Sequence, residues 1–81
     1  MNKSRRKEIN DNLITLMKLK NNYEMILSNE EDSYDNIPEN LQSSSRAMES
    51  EDAIDSLNEA IDCLQKAIDN IDDAIDFLSE I

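Results

Sequence analysis

From Ala53 to Ile81 the chain reads AIDSLNE AIDCLQK AIDNIDD AIDFLSEI, a seven-residue unit that opens each time on Ala-Ile-Asp. Ile54, Ile61, Ile68 and Ile75 take heptad position a, and Leu57, Leu64, Ile71 and Leu78 take position d. A seam this regular predicts a helix packed in coiled-coil fashion. Position g is Ala at 53, 60, 67 and 74, which lets a neighbouring helix approach closely. The apolar face is therefore wider than a two-stranded seam requires, and it suits a helix with several neighbours.

Composition agrees with helix throughout. The 81 residues contain no Gly, no His, no Trp and one Pro. Hairpins, sheets and phosphate loops that depend on Gly are disfavoured. Most zinc sites and the His-dependent triads and di-iron bundles are excluded. No cofactor, metal site or catalytic residue is expected, and the chain is not read as an enzyme. The single Cys63 lies at position c, off the seam. It cannot form an internal disulfide, which fits a cytoplasmic setting. The basic start MNKSRRKE lacks the apolar run of a signal peptide, and no stretch approaches the ~18 apolar residues of a membrane span.

Residues 4 to about 28 predict a first helix, with Ile9, Leu13, Leu16, Met17, Tyr23, Ile26 and Leu27 near helical spacing and Asn2 or Ser4 as its cap. Residues 29–36 read as an acidic connection. Asn36-Ile37-Pro38-Glu39 resembles a capping box that opens a short helical turn over about 37–42, with Tyr34, Ile37 and Leu41 closing the core. A long helix is expected from about 45 to 79. At ~1.5 Å per residue it would overhang the shorter first helix. The fold expected is all-α: a single-domain antiparallel hairpin over 1–81. So short a chain buries a modest core, which points to two hairpins paired as a homodimeric four-helix bundle.

Charge divides between the halves. Residues 1–27 hold six cations and three acids, a net of +3, whereas residues 28–81 hold two cations and sixteen acids, a net of −14. An antiparallel hairpin would lay the basic cluster Lys3, Arg5, Arg6 and Lys7 beside Asp69, Asp72, Asp73, Asp76 and Glu80. The total of −11 argues against direct nucleic-acid binding and against anionic membrane surfaces, and favours basic partners. Position b is Asp at 55, 62, 69 and 76, a carboxylate stripe with ~10.5 Å between successive members. That separation is too wide to chelate one ion. The stripe reads either as a solvated face or as a docking face for a basic protein surface. The candidate partner-binding residues are Glu49, Glu51, Asp52, Asp55, Glu59, Asp62, Asp69, Asp73 and Asp76.

The run Tyr34-Asp35-Asn36-Ile37-Pro38-Glu39-Asn40-Leu41-Gln42, followed by Ala-Ile-Asp heptads, resembles a group of short acidic two-helix proteins of Gram-positive bacteria, their phages and other mobile elements. In that group a Gly often follows the Pro-Glu-Asn-Leu-Gln segment, where this chain has Ser43. The resemblance implies a fold and an origin, not an activity. Small acidic phage proteins of this size include anti-CRISPR inhibitors and DNA mimics, which occupy the basic surface of a nuclease or other nucleic-acid-binding protein. The alternatives are a structural or adaptor bundle whose charge serves solubility, and an antitoxin-like neutraliser.

Overall fold

The computed structural model describes residues 1–80. It contains helix α1 over Lys3–Asp35, a 3-10 turn over Glu39–Leu41 and helix α2 over Ser45–Ser79. The two helices pack side by side as an antiparallel hairpin with extents of 61 × 16 × 12 Å.

α1 starts where Asn2 accepts a hydrogen bond from the Arg5 amide at 2.8 Å. It runs 33 residues, seven beyond the expected end. Residues 29–35 are therefore helix, not connection. They hold neither Gly nor Pro, and their seam is polar rather than absent. The half-buried positions of α1 are Ile9, Leu13, Leu16, Lys20, Tyr23, Leu27, Glu30 and Tyr34, an unbroken alternation of four and three residues. With Leu13 as a, Lys20, Leu27 and Tyr34 are also a, and Ile9, Leu16, Tyr23 and Glu30 are d. α2 has 35 residues, so it does not overhang α1.

The expected capping box does not form. Asn36 closes α1 instead, its amide reaching the Asp32 carbonyl at 3.1 Å. Pro38 opens the 3-10 turn without a side-chain cap. The proline disfavours helical backbone at the residue before it, which fixes the end of α1. The turn is held by the Leu41 amide on the Pro38 carbonyl at 2.8 Å and by the Gln42 side chain on the Ile37 carbonyl at 2.9 Å. No described residue has a positive φ, so the turn makes no demand for glycine and Ser43 serves in its place. Ser44 caps α2 by accepting from the Ala47 amide at 3.2 Å.

Burial is concentrated near the turn. Ala47 is fully buried and Ser50 nearly so, and they are the only buried residues among those described. The Ile and Leu residues of the α2 seam are all half-buried except Ile71, which is exposed. Three polar links cross between the helices. Lys20 Nζ donates to Gln65 Oε1 at 2.6 Å, the Ser50 hydroxyl to Glu30 Oε1 at 2.7 Å, and the Tyr34 hydroxyl to Glu51 Oε1 at 2.6 Å. Apolar layers can slide by a heptad at little cost. Hydrogen bonds at fixed positions cannot, so these links act with the short connection between the helices to hold the register.

Candidate interaction surface

In an antiparallel pair of heptad helices, the e positions of both fall on one side and the g positions on the other. That rule sorts the surface of this hairpin. Asp55, Asp62, Asp69 and Asp76 occupy b, Glu51 and Asp72 occupy e, and Asp52, Glu59 and Asp73 occupy f. All nine are exposed. Together they form one acidic face on the e side and back of α2. Glu49 belongs elsewhere. It lies at position c and lines a groove of about 280 Å³ with Glu30, Ser33, Ile37, Arg46 and Ser50.

Among the described residues no acid of this face is in an ion pair, and Lys66 at position f is the one cation that stands among them. Among the described residues the ion pairs are Lys7–Asp11 at 2.8 Å and Lys20–Glu24 at 3.3 Å, both within α1. The expected pairing of the N-terminal cations with the acidic end of α2 is thus not made at contact distance. Lys7 turns to Asp11, four residues along its own helix, and that partner holds its ammonium above its ordinary pKa through a hydrogen bond and charge. Two acids are engaged by neutral groups: Asp69 accepts from the Gln65 amide at 2.9 Å, and Glu51 accepts from Tyr34. The Glu51 carboxylate pushes the Tyr34 phenol above its ordinary pKa, chiefly through this hydrogen bond. The other seven acids on the face have no protein partner among the described side-chain hydrogen bonds.

Asp72, which its e position puts on the carboxylate stripe, shares this face with eight of the candidate residues. The sequence reading missed one part of the surface: Glu31, Asp32 and Asp35 extend the acidity onto the end of α1. The opposite side differs completely. Across 12–33 of α1 and 53–77 of α2, no charged residue stands at position g or c.

No group of three or more His, Cys, Asp or Glu among the described residues has a geometry that could hold a metal ion. A second groove, of about 120 Å³, lies at the open end between Ile9 and Ile75 and is mainly apolar. Both grooves are smaller than the ~300–1,000 Å³ of typical ligand sites. No helix is long and apolar enough to cross a membrane. Comparison with protein families, curated proteins and solved structures finds no match to this chain.

Proposed function

We propose that this hairpin is a non-enzymatic interaction protein of phage or mobile-element origin, whose acidic face binds a basic, nucleic-acid-binding surface of a partner protein. The observation that carries the reading is the unmatched acidic face itself. From Glu51 to Asp76 nine carboxylates stand on the b, e and f positions of one helix. With Lys66 offsetting one of them, that is one net charge per ~5 Å over ~37 Å of helix, comparable with the ~3.4 Å per phosphate along one DNA strand. A basic groove built for a phosphate backbone would meet a comparable charge density here. Such a surface acts by occupancy, as a DNA mimic or anti-defence inhibitor does, and needs no cofactor.

The test is competition. A DNA-binding protein captured from a host lysate should release its DNA when the hairpin is added, and this effect should weaken steeply with salt. Replacing Asp55, Asp62, Asp69 and Asp76 together by Asn should abolish it while leaving the helix content unchanged. Capture and competition that survive the fourfold replacement would remove the charge from the mechanism. That outcome would favour the second reading, a structural or adaptor module, which the exposed apolar residues Leu19 and Ile26 support.

A further inference from the structure

The uncharged side of the hairpin has its own consequence, independent of the acidic face. A third of the chain is charged, yet the g and c positions carry no charge over 12–33 and 53–77. On α2 this side presents the Ala53, Ala60, Ala67 and Ala74 column, and on α1 it presents Leu19 and Ile26, which are 41% and 50% exposed. Phe77, at position c, is 75% exposed. The surface total points the same way. The chain exposes 6242 Å², whereas a compact monomer of this length exposes about 5,000 Å². Hiding such an excess on each of two copies would bury roughly 2,500 Å², the scale of an obligate dimer interface.

Charge then fixes the orientation. α1 begins with Lys3, Arg5, Arg6 and Lys7 and ends with Glu30, Glu31, Asp32 and Asp35. Both clusters oppose the helix dipole, which favours acids at the start and cations at the end. Among the described residues, only Lys7 of these eight is in an ion pair. If a second α1 lies antiparallel on the first, each basic start meets an acidic end. A parallel arrangement would instead bring the two strongly acidic turns together.

We propose that the uncharged g/c side is the seat of a second copy of this chain, related by a two-fold axis perpendicular to the long axis. This places α1 on α1 and α2 on α2, antiparallel, in a four-helix bundle. The small Ala column allows the two α2 helices to approach closely. The acidic b/e/f faces remain outside, one on each copy. Cys63, exposed at position c near the middle of α2, then lies close to Cys63 of the second copy. In a parallel bundle α1 would lie over α2, and the two cysteines would sit across the diagonal.

Sedimentation equilibrium should give twice the chain mass at micromolar concentration, and mild oxidation or a short bis-maleimide linker should join the chains through Cys63. Leu19→Glu and Ile26→Glu should each weaken the dimer at least tenfold. Met25→Glu, at position f on the outer face, should leave it intact, and circular dichroism should confirm that all three variants remain helical. A monomeric wild-type chain would overturn the proposal. So would dimers that ignore both g-position substitutions. Dimers that resist joining at Cys63 would overturn the antiparallel arrangement. Because the acidic face is not used, none of these outcomes depends on the competition test above.

Discussion

α2 fills its seam with Ile54, Leu57, Ile61, Leu64, Ile68, Ile71, Ile75 and Leu78. α1 fills the matching four-and-three spacing with Ile9, Leu13, Leu16, Lys20, Tyr23, Leu27, Glu30 and Tyr34. One helix offers aliphatic layers that are nearly interchangeable. The other places a cation, a carboxylate and a phenol among its layers, and those three make the links to Gln65, Ser50 and Glu51. Alone, the repeat in α2 would accept a partner shifted by seven residues almost as well as the native one. The irregularities of α1 remove that freedom together with the short connection. Attraction and register are thus divided between the helices, a division often seen where a polar residue interrupts a coiled-coil seam.

The largest predicted effect lies on the aliphatic side of this division. Ile61→Asp removes a half-buried apolar side chain in the layer of Tyr23 and puts a carboxylate there without a cation. Lost burial and charge desolvation together should cost about 3 kcal/mol or more. For a marginally stable chain of this size that is enough to unfold much of the population, visible as a loss of helical circular dichroism at room temperature. The same substitution at Glu59, on the exposed f position, should cost only a few tenths of a kcal/mol. Equal effects at the two sites would mean that the α2 seam is not the packed face.

This division also explains what was legible in the sequence. The seam of α2 follows from periodicity, because Ile and Leu at every a and d from 54 to 78 leave one reading, and the antiparallel pairing follows from the short connection. The end of α1 does not. A pattern search for apolar residues stops at Leu27, since the next two seam positions are Glu30 and Tyr34 and the intervening residues are acidic. What keeps the helix going is a set of partners supplied by α2, and those partners are tertiary. The acidic face was legible because b, e and f positions follow once the seam is known. Glu49 was misplaced because charge alone, without its heptad position, assigned it there. The cross-helix neutralisation of Lys3 to Lys7 failed for a related reason: proximity in a hairpin diagram does not set side-chain direction, and Lys7 finds Asp11 on its own helix.

A smaller effect of opposite sign should come from the polar side. Lys20 lies in the layer of Leu64 and is held by Gln65 at 2.6 Å and Glu24 at 3.3 Å. Lys20→Leu would complete an aliphatic layer. The gain in burial exceeds the net worth of the lost hydrogen bond, so stability should rise by about 1 kcal/mol. Register should loosen at the same time, because one of the three fixed links is gone. A higher denaturation midpoint combined with faster amide exchange in the middle of α1 would show both effects together. A lower midpoint would show that Lys20 contributes attraction as well as register.

The smallest effect is a pH dependence at the turn end. The Tyr34 hydroxyl donates to Glu51, and that carboxylate raises the phenol above its ordinary value of 10.0. The unfolded chain therefore releases this proton at a lower pH than the folded one. The contribution of the link is fully present below pH 10.0, and it is lost as pH rises through the raised folded value, where phenolate would stand against carboxylate. Tyr34→Phe has neither the link nor the titration. Its melting temperature should lie below that of the wild-type chain at pH 8, and the gap should shrink as the medium becomes more alkaline. In a Tyr23→Phe background Tyr34 is the only phenol, so its ultraviolet titration reads the shift directly. A midpoint at or below the ordinary value would mean that Glu51 does not hold the hydroxyl, and that the Ser50–Glu30 hydrogen bond is the polar link between the helices at this end.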